Sequence, residues 1–110
     1  MNQRELDVLK ILWEYDEPMM ATDIVNAGGK DLTQSTVTAV LRKLLRAGLV
    51  EVAGVTHSGK VLSRTYITTP AARQAALDYF TEIYRQFQSI VTPDELLIAI
   101  TSNKTGDDKK

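Results

Sequence analysis

The sequence predicts a mainly α chain with one small β-hairpin: a winged helix-turn-helix domain followed by a C-terminal helical dimerisation region. Three observations predict it. Residues 33–49, TQSTVTAVLRKLLRAGL, read as one helix with an apolar side and a polar, cationic side. Directly after Gly48 the hydrophobic period changes from helical to alternating, as a hairpin requires. Beyond Pro70 a second apolar stripe, Ala76, Phe80, Ile83, Phe87 and Ile90, recurs at four-three-four-three spacing, a short heptad pattern. The boundaries these signals imply are 1–69 for the winged domain, 70–102 for the helical region and 103–110 for a polar, disordered tail.

Composition bounds the function classes. A chain of 110 residues makes one domain, or a small domain with an appended helix. Cysteine is absent, which excludes disulfides and thiolate metal sites, and His57 is the only histidine, so zinc or copper lacks ligands. No cofactor is expected. The N-terminus MNQRELDVLK is charged and amphipathic, unlike a signal peptide. No apolar run approaches the ~20 residues of a membrane span. The expected setting is cytoplasmic, with no membrane partner. The formal net charge of −1 hides an uneven distribution. Residues 31–68 carry Arg42, Lys43, Arg46, Lys60 and Arg64 against only Asp31 and Glu51, whereas acids prevail on either side. A basic middle on an acidic body suits phosphates, with binding that weakens as salt rises.

The first helix spans residues 2–16. Leu6, Leu9, Leu12 and Trp13 fall at helical spacing, Val8 and Tyr15 widen the stripe, and Trp13 is the expected core anchor. Asn2 and Glu5 have the spacing of a capping box. Pro18 ends the segment, and Met19-Met20 make a short extended piece. Residues 22–27 form a brief second helix with Ile24 and Val25 inward, stopped by Gly28-Gly29. The helix from Thr33 to Leu49 follows, with Thr33 as its N-cap and Gly48 as its stop. Val37, Val40, Leu41, Leu44 and Ala47 gather on one side; Ser35, Ala39, Arg42 and Arg46 gather opposite, with Thr38 and Lys43 at the edges. No acid lies between Thr33 and Val50, although acids in a first turn suit the helix dipole. Two short helices joined by a brief turn, the second with a cationic face, are the helix-turn-helix arrangement.

Leu49–Val55 and Val61–Thr68 read as strands around a Thr56-His57-Ser58-Gly59-Lys60 turn, which places His57, Ser58 and Lys60 at the tip of a wing. Thr69 caps, and Pro70 opens, a helix reaching Val91, flanked by Tyr79, Tyr84 and Val91. Thr92-Pro93-Asp94-Glu95 starts a last short helix with Leu96, Leu97, Ile98 and Ile100. A small three-helix core is served by the earlier segments, so the stripe of Ala76, Phe80, Ile83, Phe87 and Ile90 is assigned to a homodimer interface.

One motif is set aside. Gly54 to Lys60 matches the first seven positions of a phosphate-binding loop, but Val61 stands where a serine or threonine should hold magnesium, and a strand follows where a helix is needed. No nucleophile–base pair can be built around a single turn-tip histidine, and the acid pairs Asp16-Glu17 and Asp94-Glu95 sit at helix ends, where acids are expected anyway. An enzyme is not expected.

Taken together and in order, Val8-Leu9-Lys10-Ile11-Leu12-Trp13-Glu14, Ala21-Thr22-Asp23-Ile24-Val25, Asp31-Leu32-Thr33-Gln34-Ser35-Thr36-Val37, Arg42-Lys43-Leu44, Gly48-Leu49 and Arg64-Thr65-Tyr66 resemble the BlaI/MecI penicillinase-repressor family. The motifs cover residues 3 to 70; beyond them the likeness is one of architecture. The resemblance implies a dimeric winged-helix repressor on a dyad-symmetric operator, with recognition positions at Ser35, Thr36, Thr38, Ala39 and Arg42. The family commonly has a proline and a lysine before the helix threonine; Gln34 and Ser35 stand here, which removes a phosphate-binding cation and alters the preferred sequence. The hairpin is longer than the family's compact Gly-Arg-Ala-Tyr wing. The Asn-Phe bond cut in the penicillinase branch is missing, as is the cysteine-rich tail of the copper-responsive branch, so any sensor or protease partner is left unidentified.

The expected partner is therefore double-stranded operator DNA. Ser35, Thr38, Ala39 and Arg42 would read base edges, and Lys43, Arg46 and Lys60 would hold phosphates; the wing tip with His57, Ser58 and Lys60 is placed to touch a phosphate or the minor groove, and Arg64 is a further DNA-binding residue. Two other readings share the same residues. One is a winged helix used for protein–protein contact; the other is a DNA regulator that senses a small molecule in a dimer cavity lined by Tyr79, Phe80, Tyr84 and Phe87.

Overall fold

A computed structural model describes residues 1–106, with the element order α1 (Gln3–Tyr15), α2 (Ala21–Ala27), α3 (Gln34–Arg46), β1 (Val50–Ser58), β2 (Val61–Thr68), α4 (Pro70–Arg85) and α5 (Pro93–Gly106). The chain divides into two units, Met1–Leu77 and a second that begins at Asp78, within α4.

In the first unit, α1 starts where its capping box predicts. Asn2 Oδ1 accepts from the Glu5 N–H at 2.9 Å, and Glu5 Oε1 accepts from the Asn2 N–H at 3.0 Å. The buried face is Val8, Leu9, Ile11 and Leu12. Trp13 is not the expected anchor: it is half-buried against the core's margin, and Tyr15 is exposed. Ile11 is buried in the core instead, because the apolar face is centred between positions 8 and 12 rather than on 13.

Before α2, Met19 is extended. Its N–H donates to the Tyr66 carbonyl at 3.1 Å and its carbonyl accepts from the Tyr66 N–H at 2.8 Å, so it adds a one-residue third strand beside β2. The Asp23 carboxylate accepts from the Met20 N–H at 2.9 Å and closes the start of α2, whose Ile24 is fully buried. Gly28 ends α2. A Cβ there would lie 2.6 Å from Leu32 Cδ1 and 2.9 Å from Leu32 Cβ, so the turn into α3 needs a residue without one.

Thr33 caps α3, its Oγ1 accepting from the Thr36 N–H at 3.2 Å. Val37, Val40, Leu41 and Leu44 are buried against α1 and α2, completing a core that also holds Leu32, Val50 and Ala72. Fully burying a side chain of this kind is worth about 1.5–3 kcal/mol. Ala47, expected on that face, is exposed, because the helix closes at Arg46 and Ala47 is its C-cap. Gly48 takes the left-handed conformation (φ 77°) that ends the turn.

The hairpin is antiparallel and longer than its turn chemistry suggested. Pairing runs from Val50↔Thr68 out to Ser58↔Val61, so only Gly59 and Lys60 form the turn. Thr56, His57 and Ser58 are strand residues; their cross-strand partners Ser63, Leu62 and Val61 outweigh their loop propensity. Gly54 to Ser58 therefore lies in a strand and not in a phosphate loop. The register slips by one between Val52 and Gly54, leaving Ala53 as a bulge.

The Thr69 hydroxyl donates to the Gly48 carbonyl at 2.6 Å, and the Thr69 N–H donates to the Leu49 carbonyl at 2.9 Å, tying the end of α3 to the start of α4. The first half of α4 buries Ala72 and Ala76.

In the second unit, α4 stops at Arg85 instead of reaching Val91. Turns follow: the Phe87 N–H donates to the Tyr84 carbonyl at 2.8 Å, and the Ile90 and Val91 N–H groups both donate to the Phe87 carbonyl at 2.9 Å. Tyr84 Oη donates to the Val91 carbonyl at 2.6 Å and holds the turn closed. Phe87 and Ile90 are therefore off the helix, and the heptad stripe is not carried by one straight element. Thr92 and Glu95 make the second reciprocal cap, at 2.9 and 3.2 Å. From it α5 continues to Gly106, four residues past the expected end at residue 102; the rest of the expected disordered tail, 107–110, lies outside the described residues. No helix among the described residues is long and apolar enough to cross a membrane.

Candidate nucleic-acid interface

Helix α3 presents a ridge. Ser35, Thr38, Ala39, Arg42, Lys43 and Arg46 are exposed, while Thr36 is half-buried. The ridge follows from the same periodicity that buries Val37, Val40, Leu41 and Leu44 on the other side. Thr36 is drawn into the helix start: its hydroxyl lies 3.0 Å from Thr33 Oγ1. Gln34 Nε2 donates to Thr38 Oγ1 at 3.5 Å, a long contact that leaves the Thr38 methyl and hydroxyl on the surface.

A groove runs along each side of the ridge. On the hairpin side, Thr38, Leu41, Arg42 and Leu45 of α3 face Arg64 and Tyr66 of β2 across a groove of about 170 Å³. This brings Arg64 alongside Arg42, although 22 positions separate them in sequence (64 − 42). The hairpin register explains it. Tyr66 packs on the core, and Arg64, two residues on, emerges on the same face of β2. On the opposite side, Thr36, Ala39, Arg42, Lys43 and Arg46 line a groove of about 430 Å³ together with Asn2 and Arg4 of α1.

The charges are unequally free. Lys43 Nζ lies 3.8 Å from the Glu5 carboxylate, and Arg4 lies 3.3 Å from Asp7 and 3.5 Å from Asp31. Among the described residues Arg42, Arg46, Lys60 and Arg64 form no ion pair. Exposed unpaired guanidinium groups beside hydroxyls and an alanine methyl can reach base edges and phosphates alike.

The other predicted residues fall elsewhere. His57 and Lys60 are exposed at the far end of the hairpin and line neither groove. Ser35 is exposed on the first turn of α3. Of the residues assigned to a dimer interface, Ala76 is only 6% exposed and offers almost no surface to a second chain, whereas Phe80, Ile83, Phe87 and Ile90 are all exposed, Ile90 by 74%. Asn2 and Arg4 were not legible as site residues. Arg4 pairs with Asp7 on its own helix, and only the packing of α1 beside α3 places it at the ridge.

Several solved structures share this fold. The chain is similar to Bacillus subtilis PadR in complex with operator DNA, with 16% identity and a TM-score of 0.57 over 90% of this chain and 66% of PadR. It is similar to a mutant of S. aureus MepR bound to an oligodeoxyribonucleotide, with 17% identity and a TM-score of 0.57 over 100% of this chain and 80% of MepR. The adhesin competence repressor of Streptococcus pyogenes follows at 15% identity and a TM-score of 0.53, over 99% of this chain and 80% of the repressor. At these identities the likeness is one of fold, and the chain spans 66% of the length of PadR. No curated protein matches. The family model described as penicillinase repressor matches residues 1–92, which is most of the chain and both the winged domain and α4, so the chain belongs to the penicillinase repressor family.

Proposed function

We propose that the chain represses transcription by binding a dyad-symmetric DNA operator as a homodimer, with α3 of each subunit in a major groove. The observation that carries this reading is the α3 ridge: Arg42 and Arg46 project from it without an acidic partner among the described residues, and Arg64 of the hairpin lines one groove with Arg42. Thr38, Ala39 and Arg42 read base edges; Arg46 and Arg64 hold phosphates, as do Lys43 and, at the wing's end, Lys60 and His57. Residues 1–69 serve as the DNA-binding domain and 70–102 as the dimerisation region. The exposed Phe80, Ile83, Phe87 and Ile90, with Leu97, Ile98 and Ile100 on α5, supply the apolar surface a second copy would cover. Cytoplasmic placement and the absence of catalytic activity go with this role.

The test is a fluorescence-anisotropy titration of the chain's own promoter duplex against a scrambled duplex at two salt concentrations. The expected result is tighter binding to the promoter, weakening with salt. Absence of binding to either duplex at low salt would overturn the proposal and favour a protein-interaction role.

A further inference from the structure

We propose that the groove between the start of α1 and α3 is a second phosphodiester site, in which Arg4 and Lys43 grip the DNA backbone on the side of α3 away from the hairpin. The inference rests on the DNA-binding reading and extends it to α1, which neither the recognition helix nor the wing requires. Three observations point to it. Donors from two helices converge there: Asn2 and Arg4 from α1, Thr36, Lys43 and Arg46 from α3. Two of the cations that line it lie against carboxylates, Arg4 against Asp7 and Asp31, and Lys43 against Glu5. Neither is sealed, since the Arg4 side chain is 42% exposed and that of Lys43 is 60% exposed.

A helix in a major groove runs between two backbones, so a reader with a phosphate contact on only one flank is held on only one. The hairpin groove with Arg64 supplies one flank, and the Arg4–Lys43 groove faces the other. The neighbouring carboxylates have a double effect. They order two long side chains in advance, which lowers the entropic cost of contact. They also compete with the incoming phosphate, so Glu5 restrains the affinity that Lys43 can supply. Glu5 is suited to this because its two oxygens are divided: Oε1 accepts from the Asn2 N–H and Oε2 faces Lys43.

The experiment is the salt dependence of binding to a mixed-sequence duplex, read by anisotropy, for the full chain and four variants. Arg4→Ala lowers the slope of log K against log salt by about one per bound subunit, and Arg4→Lys restores it. Glu5→Gln keeps the reciprocal cap, because a glutamine oxygen still accepts from the Asn2 N–H, but frees Lys43; binding at low salt tightens. This gain cannot come from damaged folding. Lys10→Ala removes an exposed α1 cation outside the groove and leaves the slope unchanged. Melting curves by circular dichroism confirm that Arg4→Ala is folded at the assay temperature. Equal slopes for Arg4→Ala and Lys10→Ala, or weaker binding by Glu5→Gln, would overturn the second site while leaving α3 as the reader. If the unaltered chain binds no duplex at low salt, the DNA-binding reading fails first and this proposal falls with it.

Discussion

Arg42 is the residue on which both grooves meet, lining each of them from the crest of α3. Among the described residues its guanidinium has no carboxylate partner, so its fork of donors is available for bidentate contact with a guanine edge. Arg42→Ala should cost about 1–3 kcal/mol of operator affinity and relax preference at one base position. Binding curves on an operator and on single-base variants of it check this; an equal loss on every sequence would make Arg42 a phosphate contact. The α3 residues were legible because a helix places its faces by local geometry alone, so Ser35, Thr38, Ala39, Arg42 and Arg46 follow from spacing. The pairing of Arg42 with Arg64 needed the hairpin's root on the core, and the approach of Arg4 needed the packing of α1 on α3. Neither leaves a mark in the spacing of residues along the chain.

Among the elements, the caps and the glycine stops at Gly28 and Gly48 were legible, whereas the end of α4 and the reach of the hairpin were not. Asn2 with Glu5, Thr33, and Thr92 with Glu95 all cap as their spacing implies, because a cap is a contact within four residues. Thr33→Ala should therefore cost about 1 kcal/mol of unfolding free energy, read from urea denaturation at an unchanged m-value. The exposed ridge beyond the cap stays in place, so the loss falls on stability rather than on sequence preference. By contrast α4 carries apolar spacing through Ile90 yet ends at Arg85, where the Tyr84 hydroxyl closes a turn onto Val91. The Thr69 hydroxyl likewise reaches 21 positions back in sequence to the Gly48 carbonyl. Both contacts involve partners that periodicity does not count. The hairpin overran its turn signal for the same reason: cross-strand partners, not local propensity, kept His57 and Ser58 in β1.

At the scale of the molecule, the two units have different surfaces. The first gathers Val8, Leu9, Ile24, Val37, Leu44 and Val50 in one core and exposes apolar side chains chiefly on its hairpin, at Val52, Val55, Val61 and Leu62; no buried polar side-chain atom among the described residues is left without a hydrogen bond. The second leaves Phe80, Ile83, Phe87, Leu97, Ile98 and Ile100 in contact with water. The proposed homodimer would cover this surface. Covering a side chain of that size is worth about 1.5–3 kcal/mol, so Ile83→Asp should raise the dimer dissociation constant tenfold or more. Sedimentation over a dilution series measures it, and the melting temperature of the unaltered chain should rise with concentration. An unchanged association constant would place Ile83 outside the interface.

The bulge at Ala53 gives the wing a property of its own. Because β1 holds one residue more than β2 at that point, Val55 and His57 share the face of Arg64 and Tyr66, while Thr56 and Ser58 lie behind. Deleting Ala53 would leave both sets where they are, because Val52 opposite Tyr66 and Gly54 opposite Thr65 would then alternate without a break. What the deletion would remove is the local kink and the added twist. The extra alanine thus tunes where the outer wing points without altering which side chains each face presents.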